Sequence, residues 1–526
     1  MKIILFFSFL SVSIAGIAQN TWSDNVAQIV YDKCSQCHHT GGVGPFPLMT
    51  YAQTSPMASA IQAAISSNAM PPWPPNNNFQ QYSHDRSLST AEKSALLDWI
   101  ATGTPEGVAA NTPPPPVYSG GVLLGAGDLE VQIPTYMSKA LANGDDYACF
   151  AMPSGLTQDR VIRAVEIIPG NREIVHHALI YIDPSGNSLT DTIGGDCGAP
   201  NSADAKLVMG YTPGSSPLTL PAANPLKLGM TMLANSQIYF AMHYPAGSYG
   251  EYDSTRVIFH FYPPGETGIR EVITEPVLQK WNMVIPPNQM TPVSAQYPPG
   301  TTGLPVDISI LSVFPHMHLL GKTIKAFAIQ PNLDTLKLID IPSWDFHWQD
   351  FYFFKNIQKA EQGSILKATG TYDNTATNPN NPSSPPVTVY AGLNTTDEMF
   401  LVYAHYMLYQ AGDETYNLDS LMNLSTNSIM EASQSESLFS VYPNPFSNGV
   451  NIYSPKLKSG DVLSIYIYDM QGKIVRKLMQ NSAITANEFL IEWDGNSDSG
   501  ENVESGLYYM SINRNGEFSN HRMVKQ

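Results

Sequence analysis

From Gly120 to about Tyr416 the chain repeats one texture: short alternating stretches of apolar and polar residues, broken by turn residues. Val161-Ile162-Arg163-Ala164-Val165-Glu166-Ile167-Ile168, Ile238-Tyr239-Phe240-Ala241-Met242 and Ile308 to Phe314 are three of them. A side-chain period of two turns one face of each stretch towards a core, which directs the segment into stacked β-sheets. At nearly 300 residues the segment is long for one sandwich. Two are therefore expected, meeting near residue 270. The 41 prolines, 38 glycines and 27 tyrosines suit a fold of many turns and strands.

The flanks read differently. Residues 22–108 form a small all-α unit. Ser23-Asp24-Asn25 can cap a helix carrying Val26, Ile29, Val30 and Cys34. A second helix is expected around Met57 to Ser67, and a third from Thr90 to Thr102, opened by Ser89-Thr90 and Glu92. Residues 109–122, with Pro113-Pro114-Pro115-Pro116, read as a stiff linker. The two sandwiches take 123–270 and 271–416, a Ser- and Asn-rich linker 417–436, and a further alternating unit 437–526.

Residues 1–18 read as a signal peptide. Lys2 is followed by the apolar run Ile3 to Ile14 and by small residues at Gly16 and Ala18. No later segment holds about 18 apolar residues in a row, so no transmembrane segment is expected. The formal charge of −18 argues against nucleic acid as a partner.

Cys34-Ser35-Gln36-Cys37-His38 is a C-x-x-C-H motif. Two thiols at this spacing can form thioethers to the vinyl groups of a covalent haem c, with the adjacent imidazole beneath the iron. A redox dithiol would need a βαβ setting, and a zinc site a second ligand pair nearby. Met70 is the expected sixth ligand, with Met49, Met57 and His84 as alternatives. Met70-Pro71-Pro72-Trp73 resembles the methionine loop of small bacterial cytochrome c domains.

The sandwich region holds five histidines in apolar, strand-like settings: His176 and His177, His243, and His316 and His318. Spacing i, i+2 on a strand places two imidazoles on one face, where they can chelate one metal. Adjacent His176 and His177 would face opposite ways, so a shared metal needs a local distortion or different ring nitrogens. His260, His347 and His405 read as surface or core histidines.

The order HH … H … HxH … M over residues 125–412 resembles the copper type II, ascorbate-dependent monooxygenases, such as peptidylglycine α-hydroxylating and dopamine β-monooxygenases. Gly210-Tyr211-Thr212-Pro213-Gly214, Tyr372-Asp373-Asn374 and Thr396-Asp397-Glu398-Met399 support it. The resemblance implies two copper ions on facing jelly-roll-like sandwiches across a solvent-filled gap. His176, His177 and His243 would hold an electron-transfer copper. His316, His318 and Met399 would hold a copper that meets O₂. The family's tyrosine four positions after the methionine ligand is kept as Tyr403, which with Met399 is expected to be catalytic, whereas Phe314 stands where peptide-amidating members have a carboxylate-binding arginine. A glycine-extended peptide is thus not expected as substrate. Given the haem, the remaining pair Cys149–Cys197 is expected to be a disulfide, contributing roughly 2–4 kcal/mol.

The C-terminal unit opens with Tyr442-Pro443-Asn444-Pro445, continues through Asp469-Met470-Gln471-Gly472, and ends near Gly506-Leu507-Tyr508-Tyr509. These motifs resemble the type A sorting domain of the type IX secretion system, an Ig-like β-sandwich. That implies export by the type IX machinery to the surface or surroundings of a Gram-negative bacterium. The expectation is a secreted monooxygenase hydroxylating a C–H bond of a small molecule or peptide with O₂. Its electrons would come through the haem, beside or in place of ascorbate. The alternative is a non-catalytic extracellular haem and copper protein for electron transfer or copper binding.

Overall fold

The computed structural model describes residues 19–422 and 439–525, apart from 41, 43, 117–121, 143, 196, 201, 444–445, 455–456, 470–472, 486–488 and 516. The expected signal segment 1–18, most of the expected linker 417–436, and Asn444, Pro445, Gln471 and Gly472 lie outside the described residues. The chain divides into two compact units, Met1–Thr426 and Asn427–Gln526.

At the start, Trp22–Val26 makes a π turn that runs into the helix Ala27–Lys33. Thr21, one turn earlier than Asp24, is the cap: its hydroxyl accepts the Asp24 N–H at 3.2 Å. Helices Ala58–Ser66 and Thr90–Ala101 follow, the latter opened by a reciprocal Ser89–Glu92 capping box. Their apolar faces close on Trp22, Val30, Leu48, Leu96 and Trp99.

The stretch between those two helices leaves this small core. Tyr82 forms a β-bridge with Phe354, and its hydroxyl donates to the Leu338 carbonyl at 2.9 Å. Asn76 N–H donates to Asp340 O at 2.8 Å, Ser83 N–H to Phe353 O at 2.8 Å, and Lys355 N–H to Gln81 O at 3.0 Å. Tyr82 is only 5% exposed and belongs to the core of the second sandwich, with Trp73 packed against that core. The helical unit is therefore stitched into the rest, whereas the sequence suggests a unit tethered only by its proline segment.

The first sandwich carries a four-stranded sheet ordered Asp146–Pro153, Gln237–Tyr244, His177–Asp183, Lys206–Tyr211. It shares a core with a larger sheet built on Leu129–Gln132, Arg256–Phe261, Arg160–Ile168 and Leu226–Met232. The chain passes to the second sandwich at Val272, between Ile269–Glu271 and Ile273–Gln279. There one sheet runs Ile273–Gln279, Leu401–Leu408, Ile308–His316, Tyr352–Ala360, and the other Met290–Tyr297, Ile365–Asp373, Gly321–Ile329, Thr335–Ile341. Leu311, Phe353 and Met407 join the apolar cluster of the first sandwich, so the two pack directly. Leu418 and Met422 are buried in the same cluster, which carries packed chain past the expected start of the linker. Cys149 and Cys197 are disulfide-bonded, and Cys34 and Cys37 are free thiols.

The C-terminal unit is a separate β-sandwich. Strands Ser440–Tyr442, Val450–Ser454 and Phe489–Trp493 make one sheet, and Ile474–Ala483, Val462–Tyr468, Gly506–Arg514 and Glu517–Lys525 the other. Phe446, Ile465, Trp493 and Met510 are in its core. Among the described residues no helix is long and apolar enough to cross a membrane.

Candidate metal centre

His243 sits near the end of a central strand, directly opposite His177 on the neighbouring one. That strand begins at His177, so His176 lies just before it and is free of the alternation. The His176 N–H donates to the His243 carbonyl at 3.0 Å, which turns its ring back towards the other two. The result is a convergence of three Nδ1 atoms: His176 to His243 3.1 Å, His177 to His243 3.1 Å, and His176 to His177 3.4 Å. The conflict between adjacent histidines is thus resolved by a break in the strand, with the same nitrogen of each ring facing inwards. A shared proton can satisfy only one of these three contacts; elsewhere lone pair meets lone pair, which a cation relieves. A point equidistant from the three lies about 1.9 Å from each, near the roughly 2.0 Å of a histidine–metal bond. Asp145 Oδ2 lies 3.0 Å from the opposite nitrogen of His243, in poor hydrogen-bond alignment.

His316 ends its strand, and His318 lies in the turn beyond it, with ring centroids 5.1 Å apart and planes at 87°. Here the Nδ1 atoms face away. His316 Nδ1 donates to Gln349 Oε1 at 2.5 Å, and His318 Nδ1 to the Asp397 carbonyl at 3.0 Å. Both bonds fix the tautomer and leave Nε2 as the free lone pair. Met399 lines the same cavity, and Tyr372 holds its backbone by donating to the Met399 carbonyl at 2.6 Å.

Burial holds His176 down at about 3, His316 at about 3 and His318 at about 4, and keeps His177 and His243 below the usual imidazole value. The five rings are neutral at pH 7, the form that ligates metal.

Three residues of one loop were not evident as site residues from sequence. Phe346 is buried between the two sets, its ring centroid 6.0 Å from His177, 6.1 Å from His243 and 6.0 Å from His318. Its ring stands in the space between them. His347, read from sequence as an ordinary histidine, stands with its ring 5.0 Å from His176 and its Nδ1 2.8 Å from Asp345 Oδ1. Gln349 holds His316. The contacts with the five histidines span 28 residues or more, and no local pattern announces them. His405 is buried, stacked on Phe351 at 4.2 Å and bonded to Ser312 at 2.8 Å, and His260 is also buried.

A cavity of about 80 Å³ joins His177 to His316, His318 and Met399. Phe314, Tyr181 and Tyr403 line it too. No Lys, Arg, Asp or Glu side chain lines it among the described residues.

Cys34, Cys37, His38 and Met70 lie outside that cavity. Cys34 caps the helix Ala27–Lys33, and the His38 N–H donates to the Cys34 carbonyl at 3.0 Å. His38 Nδ1 donates to the Phe46 carbonyl at 2.9 Å, which leaves Nε2 free. Met70 follows the helix Ala58–Ser66 and is 39% exposed, whereas Met57 packs on the helical core and His84 lines a different cavity with Arg86 and Asp350.

Residues 266–429 match the family model described as copper type II ascorbate-dependent monooxygenase, C-terminal domain. Residues 440–526 match the secretion system C-terminal sorting domain. DBH-like monooxygenase protein 1 of Mus musculus is 27% identical over 293 residues, 50% of this chain and 44% of that protein. The Homo sapiens protein of the same name is 24% identical over 291 residues, 49% of this chain and 43% of that protein. The chain thus spans less than half the length of these relatives. Among solved structures, PorZ of the Porphyromonas gingivalis type IX secretion system is similar at 18% identity over 24% of this chain and 15% of that chain, with a TM-score of 0.14, too low to bear on the fold. The chain carries a C-terminal domain of the copper type II ascorbate-dependent monooxygenase family, followed by a type IX secretion sorting domain that marks it as a secreted or cell-surface protein.

Proposed function

We propose that this protein is a copper monooxygenase that hydroxylates a C–H bond of a neutral, largely apolar organic substrate with O₂. The observation that carries this reading is the approach of two unlike ligand sets, joined through His177 by one small cavity. One set offers three converging Nδ1 atoms, the other two oriented Nε2 atoms and a thioether. Copper at these sets would supply one-electron redox chemistry, the softer imidazole–thioether set favouring the Cu(I) state that meets O₂.

The remaining residues bind and exclude. Phe314 is buried beside Phe351 at 4.9 Å and Tyr403 at 6.2 Å, so no cation awaits a substrate carboxylate at that position. Tyr181 and Tyr403 supply hydroxyls that can orient one polar group of a substrate. Phe346 and Met399 close the walls against water. This environment supports a small, uncharged substrate over a free peptide terminus.

The reading includes a covalent haem c on Cys34, Cys37 and His38, with Met70 as sixth ligand, acting as electron donor alongside ascorbate. It is supported by the two free thiols, by a His38 ring whose Nδ1 is already bonded, and by a thioether exposed to solvent. The test is metal and haem analysis of the purified chain, followed by O₂ uptake with reductant across a panel of neutral substrates. Two coppers, one haem and substrate-dependent O₂ uptake are expected. A chain that binds haem but no copper would overturn the monooxygenase reading. Copper without substrate-stimulated uptake across the panel would favour a non-catalytic copper or electron-transfer protein.

A further inference from the structure

The C-x-x-C-H motif meets the first sandwich at a built joint. Cys37 Sγ lies against Gly214, so closely that a Cβ there would come within 2.3 Å of the sulfur. Gly214 also has φ +83°, in the left-handed region. Space and backbone both demand glycine at this one point. Arg86 fastens the joint from the helical unit's side. Its Nη1 donates to the Gly214 carbonyl at 2.9 Å, and its Nη2 donates to Asp350 Oδ2 at 3.0 Å. A single guanidinium thereby ties the N-terminal unit to both sandwiches, with both partners of the ion pair largely shielded.

The Gly214 turn continues directly from strand Lys206–Tyr211. In the ladder, Tyr211 stands opposite Ala178, the neighbour of His177. From Cys37 to the three-histidine set the path is therefore a packed contact, three peptide units, one ladder step and one covalent neighbour. No break through solvent is needed.

We propose that the Cys37–Gly214 contact is the point where electrons enter the copper core, and that Arg86 is the positioning residue that keeps it closed. This rests on the haem and copper reading above. With haem and copper bound, one electron would leave the iron that His38 would hold, taking it from Fe(II) to Fe(III), and would arrive at the copper that His176, His177 and His243 would hold, taking it from Cu(II) to Cu(I). No bond or proton changes hands, and an external one-electron reductant returns the iron to Fe(II).

The test uses the full-length, haem- and copper-loaded chain under anaerobic conditions, mixed with substoichiometric dithionite. Reoxidation of the haem absorbance records the electron leaving, and freeze-quenched loss of the Cu(II) resonance records its arrival. Gly214→Ala adds the offending Cβ. Gly186→Ala is its control, since Gly186 also has positive φ, +69°, but nothing within 4 Å of its Cβ position. Transfer should slow by about an order of magnitude in Gly214→Ala and stay at the wild-type rate in Gly186→Ala, with haem and copper contents unchanged in both. Arg86→Lys, which keeps the charge but not the two-armed grip, should slow transfer severalfold and serves if Gly214→Ala does not fold. Wild-type rates in the folded, loaded Gly214→Ala or Arg86→Lys protein would overturn the inference alone. A wild-type chain carrying copper but no haem would overturn the haem reading and this inference with it.

Discussion

The backbone N–H of His318 donates to the Glu398 carboxylate at 2.9 Å, and the N–H of Leu320 to its other oxygen at 2.6 Å. Glu398 is fully buried and precedes Met399 in sequence. One carboxyl thus locks the turn that presents His318 to the segment that presents the thioether, just before strand Leu401–Leu408. In Glu398→Ala two buried N–H groups lose their acceptor, at roughly 1–3 kcal/mol each. Copper should then be lost from the His316, His318 and Met399 set while the three-histidine set stays filled. Metal analysis should show bound copper falling by about half; full loading would contradict the bracing role.

Phe346 predicts how the two sets communicate. His177 and His318 flank the same ring, so two Cu(II) ions bound there should broaden each other's resonance by dipolar coupling. The measurement is the electron paramagnetic resonance spectrum of the fully loaded, oxidised chain. Two sharp, independent signals would count against the compact arrangement. Phe346→Ala should weaken the coupling and, as a large-to-small change in a buried site, cost about 3–5 kcal/mol.

Tyr82 should matter far more to the second sandwich than to the helices around it in sequence. Its ring lies 5.9 Å from Phe354 and 5.8 Å from Tyr352, and its hydroxyl is bonded to Leu338. Tyr82→Ala is expected to destabilise the second sandwich by about 3–5 kcal/mol. Hydrogen exchange of strands Thr335–Ile341 and Tyr352–Ala360 should report it. A loss of protection confined to the helices would refute the stitching.

Acid stability should depend on Asp183. Burial would raise its carboxyl, but hydrogen bonds from Ser185, Ser188 and Ser202 outweigh that and hold it at about 2. A carboxyl depressed on folding contributes stability that is present above its unfolded value and lost as pH falls through the folded one. The contribution should therefore be complete above about pH 4 and disappear towards pH 2. Asp183→Asn should lower stability at neutral pH and flatten this acid limb, as read by urea unfolding between pH 2 and 6.

What sequence makes legible follows from what is local. Alternation places strands such as Ile308–His316, and Ser89 with Glu92 marks the start of a helix. Five histidines gathered in apolar, strand-like segments suggest ligand chemistry, but the same setting also holds His260 and His405, which are packed in the core. The nitrogen each histidine presents is not local. It depends on His243 backbone meeting His176, and on Gln349 and Asp397 reaching His316 and His318 from distant segments. Gly214, Arg86 and Phe346 likewise acquire their roles only when separate segments close on them. Tyr82 misleads for the same reason: it lies between two helices in the chain but joins a distant strand in space.

That last placement bears on how the protein can be taken apart. A cut at Pro113 would not release a free-standing helical module. Removing the unit after the cut would take Trp73 and Tyr82 out of the second sandwich and leave Asp350 without its guanidinium. The N-terminal region is thus not an interchangeable cassette. Any lineage that gained or lost it would have had to remodel the surface around Phe354 at the same time.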